Sequence, residues 1–286
     1  MAIHSDSSQA QTSERRAAWL TDIHLEFLKR PQLDLFLEKV AAYQPDVLLI
    51  TGDIGQASTV ERLLTYIAHK LLTPICFVLG NHDYYGGDID AVRQNVTRIT
   101  HERRGIVWLP AAGVVELAPG VGLVGHDGWA DGGYGDFMRS PVQLNDYVKI
   151  AQLHTSDKAA LLERLRGLGA QAGDYLRGML PEAARHYPRV YVLTHAPPFR
   201  EACWYQGRIP GWNDPYLPHF TCKATGDALL ATAQAFPQTH FTVLCGHVHF
   251  SGKAQLLPNL TVLTGGAEYG KPAVQQVFTF HYVADT

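Results

Sequence analysis

The chain has 286 residues, of which 46% are hydrophobic and 18% charged, and its formal net charge is -3. This is the profile of a globular protein with a sizeable core; it excludes a strongly basic nucleic-acid surface, and no apolar run reaches the ~20 residues that cross a bilayer. Four dispersed cysteines, Cys76, Cys203, Cys222 and Cys245, contain no Cys-x-x-Cys pair, which excludes a zinc ribbon and leaves a Cys203–Cys222 bridge disfavoured in a reducing compartment.

Residues 1–14 are polar and lack the apolar centre of a signal peptide, so they read as a flexible tail on a cytoplasmic protein. A single domain is expected over residues 15–286, with loop insertions at about 125–140 and 199–222. The first strand is predicted at Ala17–Thr21 and runs into Asp22-Ile23-His24, where alternate residues of extended chain share a face. Leu33, Phe36, Leu37 and Val40 recur at helical spacing behind Pro31, a residue suited to a first helical turn. Asp46–Thr51 is a second apolar strand and ends in Gly52-Asp53. Val60, Leu63, Leu64, Ile67 and Leu71 mark a second helix, and Ile75–Leu79 a third strand that ends in Gly80-Asn81-His82-Asp83. There Gly and Asn favour a sharp turn, His82 offers a proton donor, and Asp83 is placed to orient it. This β-α-β-α-β order predicts parallel strands with their polar ends on one sheet edge, where open α/β sheets place ligands.

A helix carrying Ile89, Val92, Val96 and Ile99 comes next, then short strands near 106–108, 114–117 and 121–124. Residues 125–140 form a Gly/Asp/aromatic loop in which Asp127, Asp131 and Asp136 read as solvated acids. From Ser140 to about Arg185 the pattern predicts two or three helices. The strand Val190–Thr194 ends in His195 before two prolines, and the aromatic-rich loop 199–221 follows. A helix over 224–236 leads into the strand Phe241–Cys245, which ends in Gly246-His247-Val248-His249; strands near 260–263 and 274–283 complete the chain. His126, His154, His186, His219 and His240 lack such company and read as surface or loop residues.

Five strand ends thus offer Asp22, His24, Asp53, Asn81, His195, His247 and His249, with His82 set aside as an acid. Oxygen and imidazole donors without thiolate suit manganese, iron or zinc. Seven such groups exceed one tetrahedral ion and suit two ions sharing a carboxylate, with positions open for water. Two divalent ions less two carboxylates and a bridging hydroxide leave a positive site, which attracts a phosphate ester.

In this order the stretches Asp22-Ile23-His24, Gly52-Asp53, Gly80-Asn81-His82-Asp83, His195 and Gly246-His247-Val248-His249 resemble the five motifs of the calcineurin-like metallophosphoesterases, in their bacterial phosphoesterase and phosphodiesterase branch. The resemblance implies a four-layer α/β/β/α sandwich of two mixed sheets flanked by helices. It also implies a dinuclear centre of two divalent or trivalent ions, Mn, Fe or Zn. Asp22, His24, Asp53 and His249 would hold one ion and Asn81, His195 and His247 the other, with Asp53 bridging. His82 would be the transition-state stabiliser or leaving-group acid and Asp83 its orienting partner. The phosphate-gripping arginine of the protein phosphatases has no counterpart, because Ile54-Gly55-Gln56 follows Asp53. The reaction implied is phosphate-ester hydrolysis by attack of a metal-bridging hydroxide, with small phosphodiesters or nucleotides favoured. Alternatives within the family are a phosphomonoesterase, a nucleotide pyrophosphatase or a nuclease, and outside catalysis a metal-bound interaction scaffold. The two long loops make Arg139, Arg200, Trp204, Arg208 and Trp212 the candidate substrate contacts.

Overall fold

The computed structural model describes residues 12–283, so most of the expected tail, residues 1–11, lies outside it. Its last part does not behave as tail. Thr12–Glu14 open the strand β1 (Thr12–Leu20), where they pair antiparallel with the end of the chain at Tyr282 and Val283 and their neighbours. In chain order there follow α1 (Arg30–Ala41), β2 (Val47–Thr51), α2 (Val60–Leu71), β3 (Ile75–Val78), α3 (Ile89–Glu102), β4 (Ile106–Trp108), α4 (Leu109–Ala112), β5 (Val115–Ala118) and β6 (Val121–Gly125). The second half contains α5 (Asp146–Lys149), α6 (Lys158–His186), β7 (Arg189–Leu193), α7 (Leu217–Phe220), α8 (Lys223–Ala235), β8 (His240–Cys245), β9 (Gly252–Leu257), β10 (Leu260–Thr264) and β11 (Gln276–Val283).

Two mixed sheets result, in the orders β11-β1-β2-β3-β4 and β5-β6-β7-β8-β10-β9. Strands β1 to β4 run parallel with β11 antiparallel at the edge, and β6, β7, β8 and β10 run parallel with antiparallel strands at both edges. Side-chain alternation divides the core into three layers. From β1, Ala18 and Leu20 join Leu48, Ile50 and Phe77 under the apolar faces of α1, α2 and α3. Their neighbours Ala17 and Trp19 join Val47, Leu49 and Val78 against Leu123, Leu193 and Leu244 of the other sheet. On the far side, Val190, Val192, Phe241 and Val243 pack under Leu176, Leu180 and Leu229 of α6 and α8.

The two or three helices expected before Arg185 are short turns followed by one helix of 29 residues. The helix runs through Pro181 and its glycines without a break. Gly169 and Gly173 let α6 lie tight against its neighbours: a Cβ on Gly173 would stand 2.9 Å from the Ala224 carbonyl oxygen, and one on Gly169 would stand 2.5 Å from Asp131. Asp157 caps the helix by accepting the amides of Ala159 and Ala160 at 2.9 and 3.2 Å. Cys203 and Cys222 are both buried and unpaired. Among the described residues no helix is long and apolar enough to cross a membrane.

Candidate metal centre

Each polar stretch singled out in the sequence follows the C-terminal end of a parallel strand, and the two sheets bring those ends together. On the first sheet the Asp22 amide donates to the Gly52 carbonyl (3.1 Å) and the His24 amide to the Asp53 carbonyl (2.9 Å). Between sheets, the His247 amide donates to both Asp22 carboxylate oxygens at 3.0 and 3.1 Å. Asp22 and His24 do not continue the strand as expected; β1 ends at Leu20, and both adopt left-handed backbone, φ 48° and 41°. So do Asp53, His247 and His249, which gives five of the eight non-glycine residues with positive φ among those described. Such backbone costs an L-residue roughly 1–2 kcal/mol and clusters where structure is over-determined by function. Glycine is needed where the loops meet: a Cβ on Gly80 would stand 2.2 Å from Asp53 Oδ1, and one on Gly246 2.0 Å from Asp22 Oδ2.

Around one point lie Asp22, His24, Asp53 and His249, whose ligand atoms fall within 4.8 Å of one another. His24 Nε2 faces His249 Nε2 at 3.3 Å and Asp53 Oδ2 at 3.7 Å, and His249 Nε2 stands 3.4 Å from Asp22 Oδ1. Around a second point, His195 Nε2 faces Asn81 Oδ1 at 2.9 Å and Asp53 Oδ1 at 3.5 Å, and His247 Nδ1 faces the same Asn81 oxygen at 3.0 Å. Asp53 therefore turns one oxygen to each set.

Partners on the outer side assign the ring tautomers at the second point. His195 Nδ1 lies 2.8 Å from the Thr51 carbonyl, to which it donates, and this leaves Nε2 as a lone pair. His247 Nε2 lies 3.4 Å from the His219 carbonyl, which leaves its Nδ1 as a lone pair. The Asn81 amide donates from Nδ2 to Asp146 at 2.8 Å, so its Oδ1 points inward. Three acceptors then converge with no proton between them, an arrangement that a cation satisfies and a hydrogen bond does not.

The electrostatics agree. Burial holds the His195 and His247 rings below their ordinary range, His247 at about 4, so both are in the neutral, metal-binding form. Burial pushes Asp53 well above the usual carboxylate range, and the charges of Asp22 and Asp83 add to it. For Asp22 burial acts in the same upward sense, but the contact with His249 and the nearby rings of His195, His249 and His24 outweigh it and hold the group low. A buried carboxylate raised by its carboxylate neighbours, facing the neutral His195 ring, fits a bound cation.

His82 lies beside this centre. Its amide donates to Asp53 Oδ1 at 2.9 Å, and its ring stacks on Tyr85 with centroids 4.2 Å apart and meets His24 edge-on at 4.6 Å. Burial, then the neighbouring imidazoles, lowers its ring to about 2. Asp83 does not serve the ring as expected. Its two oxygens accept the amides of Ile54, Gly55 and Gly80 at 2.9, 2.8 and 2.9 Å, which locks the Asp53 turn onto the His82 turn. Burial raises Asp83 to about 7 despite those three bonds.

A cavity of about 300 Å³ opens over the centre and exposes Asp53, Asn81, His82, His247 and His249. Its remaining wall comes from Tyr85, Leu144, Asn145, Asp146, Tyr205, Phe220, Val248, Phe250 and Tyr269. The five substrate contacts expected from the loops lie elsewhere. Arg139 lines a separate pocket with Asp136 and Asp214. Arg200 donates to the Pro210 carbonyl and to Glu201 and lies 5.0 Å over the Trp212 ring. Arg208 pairs with Asp214 at 3.2 Å, and the Trp204 indole packs on the backbone of Gly252. The loops contribute to the wall, but through Tyr205 and Phe220.

Of the three acids expected to be solvated in residues 125–140, Asp136 is exposed but Asp127 and Asp131 are not. Asp127 is fully buried and accepts the Leu79 amide, the Trp108 indole N–H and the Tyr84 hydroxyl at 2.8–2.9 Å. Asp131 is buried and accepts the amides of Lys223 and Ala224 at the start of α8, at 3.1 and 2.8 Å. His126 and His219, read as surface or loop residues, are buried too. His219 bonds Ser140 Oγ at 2.9 Å and the Tyr147 hydroxyl at 2.5 Å, tying the two insertions together behind His247.

Residues 15–251 match the family described as calcineurin-like phosphoesterase. A bovine protein described as a transmembrane protein with metallophosphoesterase domain is 34% identical over 74 residues, which make up 24% of this chain and 17% of that one. Among solved structures, the phosphopantetheinyl hydrolase of Mycobacterium tuberculosis aligns with a TM-score of 0.61 at 13% identity, covering 88% of this chain and 90% of the other. A dimetal phosphatase from Danio rerio aligns at 0.54 and 13%, covering 88% and 87%. At these identities the two likenesses establish the arrangement of sheets and helices and nothing finer.

Proposed function

Because the chain belongs to the calcineurin-like phosphoesterase family, we propose that it hydrolyses phosphate esters at two metal ions held by the facing ligand sets. The observation that carries this reading is the Asp53 carboxylate, with Oδ2 turned to His24 at 3.7 Å and Oδ1 to His195 at 3.5 Å. One set would be Asp22, His24, Asp53 and His249, the other Asn81, His195, His247 and the second oxygen of Asp53. Nitrogen and oxygen donors of this kind suit manganese, iron or zinc. When bound, the ions supply Lewis acidity toward phosphoryl oxygens and lower the pKa of water.

The chain's own residues do the rest. Asp22 and Asp53 bring the negative charge that retains the cations, and the neutral rings of His195 and His247 add none. His82 stands at the cavity wall with a neutral ring, so it donates an N–H to a phosphoryl or leaving oxygen. Tyr85, Tyr205, Phe220, Phe250 and Tyr269 form an apolar wall for an organic substituent. Among the described residues that line the cavity there is neither lysine nor arginine. Charge compensation for phosphate therefore falls to the metal pair alone. That favours small phosphodiesters or nucleotides carrying one phosphate over polyphosphates, and a cavity of about 300 Å³ disfavours phosphoproteins and duplex DNA.

The test pairs metal analysis with turnover. Manganese-loaded protein is expected to contain two ions and to cleave nitrophenyl diesters faster than dinucleoside polyphosphates or a phosphoprotein. Asp53→Asn is expected to empty both positions and lower turnover by more than ~10²-fold, beyond the ~10–100-fold typical of a change outside the ligand set. Two retained ions with parental turnover in that variant would sink the bridging role.

A further inference from the structure

We propose that Glu26 is the positioning carboxylate of this centre, holding the His24 ring through Nδ1 and facing the His82 ring, the place the residue order gives to Asp83. The inference rests on the metal reading above. Asp83 is fully engaged with three backbone amides. Glu26 places a carboxylate oxygen within 4.8 Å of a ring nitrogen of both His24 and His82. It is carried there by a single 3-10 turn, Leu25–Phe27, whose Leu25 amide is fixed to the Ile54 carbonyl at 3.0 Å.

The polar groups involved have no other use among the described residues. Both Glu26 oxygens and His24 Nδ1 are buried without a hydrogen-bond partner, and the Glu26 side chain is only 10% exposed. A buried carboxylate left unpaired is costly, so such a group is expected to have work. His24 Nδ1 and Glu26 Oε1 stand 3.7 Å apart, longer than a hydrogen bond but closed by a side-chain movement of under ~1 Å. The direction of that bond is fixed by the other nitrogen. His24 Nε2 faces Asp53 and His249, the side of the proposed metal, so with Nε2 as the ligand atom the ring's N–H lies on Nδ1 and points at Glu26. A metal-ligating imidazole that donates its second N–H to a carboxylate is held in rotation and made more basic. Because the same carboxylate also faces His82, the ring that binds metal and the ring that meets substrate share one anchor.

The test uses the full chain, zinc-loaded, with Glu26→Gln and Glu26→Ala. Nitrogen-15 NMR of the histidine side chains reads the His24 tautomer and its Nδ1 proton directly, and zinc affinity is measured by competition with a chelator. The expected order of affinity is parent, then Gln, then Ala, with Ala ~10–100-fold below the parent. The His24 Nδ1 proton is expected to move upfield in Gln, where a neutral oxygen still accepts it, and to be lost to exchange in Ala. Parental affinity and an unmoved His24 signal in both variants overturn the proposal, as does lost affinity with that signal unchanged, which marks a merely structural role. If Ala does not fold, the near-isosteric Gln variant still decides through the proton signal. Failure of the broader reading looks different: the parent itself would then bind no zinc at His24.

Discussion

Asn81 can serve a cation only one way round. An amide presents oxygen or nitrogen with almost the same shape, and it is Asp146, accepting Nδ2 at 2.8 Å, that turns the oxygen inward. The same carboxylate oxygen accepts the Tyr85 hydroxyl at 2.6 Å, and the Tyr85 ring supports His82. Asp146→Ala is therefore expected to free the amide and weaken the second metal position by ~10–100-fold while sparing the first. Asp146→Asn, which keeps one acceptor, is expected to fall between parent and Ala. Metal content after dialysis against graded chelator separates the two positions, and equal loss from both would contradict the assignment. The left-handed backbone at Asp22, His24, Asp53, His247 and His249 belongs to the same scale. Each local strain is held in place by loop-to-loop hydrogen bonds rather than by the residue's own preference.

At the scale of elements, the turns after β2 and β3 act as one unit because Gly80 lets them touch. Gly80→Ala would force a methyl to within 2.2 Å of Asp53 Oδ1 and 2.5 Å of the Asp53 amide. The expected cost is ~1–3 kcal/mol of stability together with loss of metal from both positions. Gly86→Ala is the matching control. Gly86 has φ +75° with nothing within 4 Å of an added Cβ, so only ~1–2 kcal/mol of backbone strain is expected, with metal content kept. Urea unfolding and metal analysis compare the two variants, and parental metal content in Gly80→Ala would show that the turns tolerate separation. The turns were legible in the sequence because their signal is local: an apolar run, a glycine, then an acid or imidazole. Glu26 and Asp146 were not, since nothing adjacent marks them and tertiary packing alone brings them to the centre. Asp127 was misread for the same reason. Its three hydrogen-bond donors, Trp108, Tyr84 and Leu79, lie 19, 43 and 48 residues away, so its burial has no local signature.

The molecule as a whole is expected to weaken in mild acid, whether or not a cation is bound. Burial, the leading cause for each, lowers His126 and His219 from the ordinary 6.5 to about 4. As pH falls below 6.5 the unfolded chain takes up protons that the folded chain refuses, so stability present at neutral pH is lost between about 6.5 and 4. A shift of this size corresponds to at most ~3 kcal/mol per ring. Urea unfolding of chelator-treated protein between pH 7 and 4 is expected to show this slope, and His126→Gln to flatten part of it; an identical slope in both would exclude His126 as a source. Strand β1 lies between β2 and β11, and this sets when the centre can assemble. Its outer neighbour is β11, and the Asp22 carboxylate at its end waits for the His247 amide, 225 residues later. At ~5–20 residues per second, ribosomal synthesis separates the two by roughly 10–45 s. Late in that interval the nascent chain holds Asp22, His24, Asp53 and Asn81 without His247 and His249, and the β1 edge that β11 covers stays open. A chaperone or early cation capture by Asp22, His24 and Asp53 has its largest effect on the yield of active protein in that window.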